Sequence, residues 1–352
     1  MGSLERVQAL LEAARAVARD PAIAFAIGRT TGLSRAGVEL GLTRYLETDA
    51  SPSDLSGLVR TTGSTSHVHV ILSANVFTAP LRALAVACAA AEQVTVQPSR
   101  RDPVFATALV RAVNSASLRI ATDSDVGLLR EGEVHVYGRD ETVSAVRRAL
   151  PPGVVLRAHG AGFGVALVGP SVDLGSAAAA IAEDVIVFDQ RGCLSPRAVF
   201  VVGDVVRAET FAERLSARLA DLGTSVPRGR LAEDEGRLAA RYVETMAFAG
   251  RVLEGPAHVV GIAAHGGAFL LPPAGRHVHV VRVGEVSEAR QALAPLRRFL
   301  VALGCDDDAD GARLCSGAQS VRISRLGRMQ KPPLDGPVDL RAASGPPSTS
   351  PE

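Results

Sequence analysis

The stretch VFDQRGCLSP, Val187 to Pro196, sets one cysteine where chemistry could use it. Gly192 removes side-chain bulk on one flank of Cys193, and Leu-Ser-Pro supplies a bend on the other. A thiol so placed can act as a nucleophile once it is deprotonated, forming a covalent intermediate with a carbonyl substrate. The plainer reading of any lone cysteine is a small buried hydrophobe. Cys88 fits that reading, because it lies in the alanine-rich run ALAVACAAA. The four cysteines (Cys88, Cys193, Cys305, Cys315) show no CxxC spacing, which argues against a disulfide framework or a zinc knuckle.

Other motifs carry less. HGAGFG, residues 159–164, has the glycine spacing of a dinucleotide fingerprint, but a strand pattern follows it where a helix should open. DDDADG, Asp306 to Gly311, begins like a calcium loop, yet Gly317 falls at the twelfth position, where a bidentate Glu is required; it reads as a solvated turn. HVHV occurs at 67–70 and again at 277–280. Alternate histidines share a strand face, but no acidic or thiol partners gather beside either pair, and no metal is expected.

These residues must be positioned by a core that 352 residues at 47% hydrophobic content can readily build, and the length suggests two domains. Thirty-eight Lys and Arg against thirty-seven Asp and Glu leave a net charge of +1, with no basic run to attract nucleic acid. The opening SLERVQALLEAARAVARD carries both charge signs at helical spacing, unlike a signal peptide, and no apolar stretch is long enough to span a bilayer; a cytoplasmic protein is expected. Residues 1 to about 60 read as helical. From HVHVILSA onward the pattern alternates strand and helix through VTVQP, PVFATALVRAV, EVHVYG, ETVSAVRRAL, VVLRAHG and GVALVG. This rhythm predicts a mostly parallel sheet covered by helices. Beyond 165, SAAAAIAEDVIVF, AVFVVG, two charged helices, the strand HVHVVRV and a helix over SEARQALAPLRRFLVALG predict a second α/β unit. The tail AASGPPSTSPE is low in complexity and is expected to be disordered.

Several ordered segments resemble the aldehyde dehydrogenase superfamily. ILSANVFTAPLRALAVACAAAEQVTVQPSRRDP is similar to the stretch in which an Asn after a strand precedes a helix and then a strand ending in Lys-Pro-Ser/Ala-Glu. VHVYGRDETV is similar to its Phe-Thr-Gly-Ser segment, and VVLRAHGAGFGVALV to its Glu-Leu-Gly-Gly-Lys segment. His159, at the position of that Glu, stands 34 residues before Cys193, an interval that fits the family. Within the superfamily the chain most resembles the LuxC-type fatty acyl-CoA reductases, from FDQRGCLSP, TGLSRAGVELGL and RISRLGRMQKPPLDG, over most of residues 28–340.

The resemblance implies an α/β, aldehyde dehydrogenase-like fold: an N-terminal helical segment with a Rossmann-type cofactor domain over 1–165, a second α/β domain bearing the thiol over 166–318, and a C-terminal segment from 319. It implies that Cys193 takes the acyl group from an acyl-CoA or acyl-carrier thioester, that NADPH provides the hydride, and that an aldehyde leaves. Asn75 and the backbone N–H of Cys193 are the implied oxyanion donors, although Asn75 taken alone reads as a helix N-cap or turn residue. His159 replaces the Glu that activates water in the hydrolytic members, so no water need be activated here; a histidine can still exchange a proton with the thiol or the oxyanion. Gln97, Ser99, Arg100, Gly138 and Arg139 fall on cofactor-binding positions, and Arg100 replaces an acidic residue, which points to NADPH. The family's Glu-Ile-Phe-Gly-Pro segment has no counterpart before HVHVVRV. A homo-oligomer is expected. Two alternatives stay open: an aldehyde dehydrogenase running toward acid, and a catalytically silent structural or acyl-transfer subunit.

Overall fold

The computed structural model describes residues 2–121, 126–264, 269–318 and 320–341. The tail over 342–352 lies outside them. The first part of the chain forms α1 (Ser3–Ala18), α2 (Pro21–Thr31), α3 (Arg35–Arg44), α4 (Pro52–Thr62), β1 (Thr65–Ile71), α5 (Ala79–Ala90), β2 (Ala91–Gln97), α6 (Val104–Val113) and β3 (Leu118–Ile120). It continues through β4 (Glu133–Tyr137), α7 (Asp140–Ala149), β5 (Val155–His159), β6 (Phe163–Val168), α8 (Leu174–Ile186) and β7 (Pro196–Val202). The remainder forms α9 (Val205–Ser225), α10 (Glu233–Ala249), β8 (Gly250–Gly255), β9 (His258–Ala263), β10 (His277–Val283), α11 (Val286–Leu293), β11 (Leu300–Cys305), α12 (Asp308–Cys315) and β12 (Arg322–Ser324).

These elements divide into two compact units. The first holds residues 1–31, 46–161 and 333–352, and the second holds 32–45 and 162–332. The longest run of the first unit ends at Ala161, and the second unit resumes at Gly162. Two short excursions were not foreseen: residues 32–45 group with the second unit, and those from 333 group with the first.

In the first unit five parallel strands take the order β3-β2-β1-β4-β5. The order reverses between β1 and β4, and in open α/β sheets such a switch point, at the C-terminal ends of the strands, is where ligands bind. The central strands carry Val68, Val70, Val94, Val96, Val134 and Val136, all buried. α5 is alanine-rich because nearly every one of its residues is buried.

The second unit is built on a seven-stranded sheet, order β12-β11-β6-β7-β10-β9-β8, parallel except for the β8–β9 hairpin. β6 and the AVFVV of β7 read as continuous apolar runs because both faces are covered, while β10 interleaves the buried His277 and His279 with its valines. One cluster gathers α8 and α9 on one face, with Ile181, Val185, Phe211 and Leu215; another gathers α11 and α12, with Ala289, Leu293 and Leu314.

Two expectations are corrected here. SEARQALAPLRRFLVALG is not one helix: α11 stops at Leu293, a 3-10 turn spans Ala294–Phe299, and LVALGC is the buried strand β11. Pro295 interrupts the helical ladder, and the short apolar run that follows suits a parallel strand between two others. DDDADG is not a free turn either. Asp307 caps α12 by accepting from the Asp310 N–H, and Asp306 accepts from the Leu326 N–H.

Candidate active site

In the second unit, Cys193 lies on the short connection that leads into β7, at the N-terminal edge of the sheet. The chain enters this connection through a turn at Val187–Gln190 in which Phe188, Asp189 and Gln190 have φ of 53°, 51° and 62°. Three consecutive non-glycine residues in the left-handed region cost about 1–2 kcal/mol each. They persist because every side chain is locked. Phe188 packs edge-on against Tyr45, with ring centroids 6.3 Å apart. Asp189 is buried against Arg276, 2.7 Å from Nη2 and 2.9 Å from Nε, and its second oxygen accepts from the Gly229 N–H at 2.8 Å. Gln190 Nε2 donates to the carbonyls of Pro196 and His277, while its Oε1 accepts from the His277 N–H at 2.8 Å.

That turn fixes where the thiol begins, and two contacts fix where it ends. The Ser195 N–H donates to the Gly192 carbonyl at 3.1 Å, closing a tight turn around Cys193 and Leu194. The Gly164 N–H donates to the Ser195 carbonyl at 3.2 Å. A Cβ on Gly164 would lie 2.6 Å from the Leu194 carbonyl oxygen. The last glycine of HGAGFG therefore lets β6 approach the thiol connection closely.

Cys193 is half-buried and no disulfide engages it. The other three thiols are held in the protonated form by burial. Burial pushes Cys88 up to about 12 and Cys315 up to about 11, and it also raises Cys305, whose Sγ donates to the Asp307 carbonyl.

The remaining site residues all belong to the first unit and share one edge of its sheet. Asn75 is exposed on the loop after β1, and Gln97 ends β2, with Ser99 and the exposed Arg100 just beyond. Gly138 and the exposed Arg139 follow β4, and His159 ends β5. Register pairs Ile71 with both Gln97 and Val136, and Tyr137 with His159, so the strand ends lie side by side. This is the carboxyl edge at which open α/β sheets bind ligands, and Asn75 and Gly138 flank the point where strand order reverses. The N-cap of α5 is Thr78, so Asn75 does not fill the capping role it could have had. The Ser99 hydroxyl accepts from the Arg101 N–H at 3.3 Å, which folds the Pro98–Arg101 turn back at the end of β2.

The edge fits a nicotinamide dinucleotide in its chemistry. Exposed guanidinium groups at the end of the second strand suit a phosphorylated adenosine ribose. The first turn of α7 is less hospitable to pyrophosphate, because Asp140 and Glu141 occupy it; Asp140 instead accepts from the Ala161 N–H at 2.9 Å.

His159 stacks on Tyr137 with centroids 4.5 Å apart. Burial pushes its imidazole down to about 4, although the Asp339 carboxylate opposes the shift. At neutral pH it is an uncharged ring that can donate a hydrogen bond but holds a proton poorly. Burial also takes His277 and His279 down to about 4. For these three the folded pKa lies below the unfolded one, so the unfolded chain binds more protons between roughly pH 6.5 and 4. Stability is complete above that window and falls as pH drops through it. Each histidine is expected to cost on the order of 1–2 kcal/mol at pH 5, read as a melting temperature that declines from pH 7 to pH 5. A flat profile over that range would contradict the burial of these rings.

Asp189, Gln190 and Arg276 were not legible as site residues in the sequence. The available signal was an Asp-Gln pair closing the apolar run AAAAIAEDVIVF, where two polar groups need buried partners.

With this geometry in view, the likeness to known proteins is specific. A family described as acyl-CoA reductase (LuxC) matches residues 40–341. The chain is 25% identical over 174 residues to the long-chain acyl-protein thioester reductase of Aliivibrio fischeri, in an alignment covering 49% of this chain and 34% of that protein. It thus matches about a third of that relative's length. Among solved structures it superposes on an NAD-dependent benzaldehyde dehydrogenase from Corynebacterium glutamicum at a TM-score of 0.71 and 16% identity, covering 94% of this chain and 83% of that one. It superposes on the NADP-dependent glyceraldehyde-3-phosphate dehydrogenase of Bacillus halodurans, solved with NADP, at 0.68 and 14%, covering 93% and 79%. Those two share the fold and differ in nucleotide, so the fold alone does not choose between NAD and NADP. Among the described residues no helix is long and apolar enough to cross a membrane. The fold is that of the aldehyde dehydrogenases, and the match over residues 40–341, which takes in Asn75, His159 and the connection bearing Cys193, makes this chain a member of the acyl-CoA reductase (LuxC) family.

Proposed function

We propose that this chain reduces an acyl thioester of coenzyme A or of a carrier protein to an aldehyde, with Cys193 as the acyl acceptor and NADPH as the reductant. The observation that carries the reading is the locked left-handed turn that presents the half-buried Cys193 thiol on the connection into β7. The Cys193 thiolate attacks the thioester carbonyl; a bond forms from its sulfur to the acyl carbon, and the bond to the leaving sulfur breaks. The leaving thiolate takes a proton. A nicotinamide held at the carboxyl edge of the first sheet would supply the hydride to the acyl carbon; on the side of this chain, the alkoxide so formed would re-form the carbonyl as the bond from the acyl carbon to the Cys193 sulfur breaks, which returns the thiolate and releases aldehyde.

Asn75 donates to the oxyanion in this proposal, supported by its exposure on the carboxyl edge and its freedom from capping α5. Asn75→Ala should lower kcat by roughly 100-fold or more with KM little changed, the usual scale for one oxyanion donor. A change confined to KM would assign Asn75 to positioning. His159 serves as a neutral hydrogen-bond donor, since an imidazole held near 4 is a weak proton acceptor.

Gln97, Ser99, Arg100, Gly138 and Arg139 hold the dinucleotide, with Arg100 taking the 2′-phosphate in a charge-assisted contact. Arg100→Glu should weaken NADPH binding by about tenfold or more and reduce discrimination against NADH. An unchanged ratio of the two dissociation constants would remove Arg100 from the site. NADPH oxidation dependent on acyl-CoA tests the reaction as a whole. NAD(P)H formation from aldehyde with acid as product would support the oxidative alternative, and neither activity the silent one.

A further inference from the structure

Asp184 is a carboxylate with no exposure, placed in the last turn of α8, where the helix dipole disfavours a negative charge. Such a group needs donors, and the chain supplies them from the segment LGRMQ, over 140 residues downstream. The Gly327 N–H donates to one oxygen at 2.8 Å and the Gln330 N–H approaches the other at 3.4 Å, with the Met329 N–H also contributing. Burial still holds Asp184 up at about 7. Gly327 has φ of 75°, and a Cβ there would lie 3.1 Å from that of Ala180 on α8, so the turn is shaped for this contact. Met329 is buried, and a Cβ on Gly304 of β11 would lie 2.7 Å from its sulfur, which fixes the segment from the other side. The product of this wrapping is Gln330. Its Nε2 donates to the buried Ser195 hydroxyl at 3.1 Å, two residues beyond the thiol and inside the turn closed by the Ser195 N–H.

We infer that Asp184 and Gln330 are positioning residues for Cys193: Asp184 gathers the backbone of 327–330 around its carboxylate, and Gln330 pins Ser195 and with it the far end of the thiol connection. This deepens the reading of Cys193 as the acyl acceptor and rests on it. Asp189 and Gln190 hold the entrance of the connection, and the Asp184–Gln330 pair holds its exit.

The test uses Gln330, because Asp184 variants can unfold the chain. Gln330→Met keeps the side chain's length and removes its donor, whereas Gln330→Glu keeps a hydrogen bond, with the Ser195 hydroxyl now donating. Two readouts are taken on folded protein: the rate of Cys193 alkylation by iodoacetamide, followed by peptide mass spectrometry, and kcat and KM for acyl-CoA reduction. A loosened connection should expose the thiol while spoiling its alignment. Gln330→Met should therefore raise the alkylation rate about threefold or more and lower kcat about tenfold with KM unchanged, and Gln330→Glu should restore both most of the way. Altered alkylation in a protein that shows no thioester reduction even as wild type would uphold the positioning role and overturn the reaction instead. Alkylation within twofold of wild type in folded Gln330→Met overturns the positioning role.

Discussion

Cys193→Ala is expected to abolish the proposed reduction of acyl-CoA by NADPH, a fall of at least about 10⁴-fold in kcat. The expectation is this large because no other described thiol can substitute: Cys88 sits at about 12 and Cys315 at about 11, so neither offers thiolate at neutral pH, and Cys305 is committed to the Asp307 carbonyl. The substitution removes a half-buried sulfur from a connection held by Asp189, Gln190 and Ser195, so the fold should survive it. Turnover retained within tenfold by folded Cys193→Ala would mean that the acyl group goes elsewhere, or directly to the reductant.

The second large effect is on stability. Asp189→Ala leaves the Arg276 guanidinium buried without its counter-ion and the Gly229 N–H without its acceptor. Removing one partner of a buried pair typically costs about 3–5 kcal/mol, because an uncompensated charge remains. The strained turn at Phe188–Gln190 then loses the contact that over-determines it, so activity should fall even where the variant is still folded. Urea denaturation reads the first effect and kcat at low temperature reads the second. A destabilisation under about 1 kcal/mol would show that Arg276 finds other partners and that the pair is not what holds the turn.

Part of this was legible in the residues. Alternating strand and helix patterns make the first sheet legible, because strands such as HVHVI and EVHVY place a valine at every second position. Cys193 is legible as a candidate nucleophile because a glycine and a bend beside a cysteine are local. That Asn75, Gln97 and Gly138 lie at or just beyond strand ends followed from the same patterns, and their part in holding a cofactor or the oxyanion stays a proposal. What stayed hidden depends on contacts distant in sequence. Nothing local marks Phe188, Asp189 and Gln190 as left-handed, since none is glycine and the conformation is held by Tyr45, Gly229, Arg276 and His277. Asp184 reads as an ordinary acid on a helix until Gly327 and Gln330 fold back over it. LVALGC reads as part of the helix before it because a short apolar run has no period of its own. Residues 32–45 look continuous with the helices around them, and their place in the second unit is set by contacts such as Tyr45 with Phe188 and Lys331.

The central claim is that the acyl group passes through Cys193, and the most direct measurement is mass spectrometry of the intact protein after acyl-CoA is added without NADPH. The mass should rise by one acyl group, peptide mapping should place it within VFDQRGCLSP, and NADPH added afterwards should remove it with release of aldehyde. An adduct on another residue, or one that persists in Cys193→Ala, would contradict it.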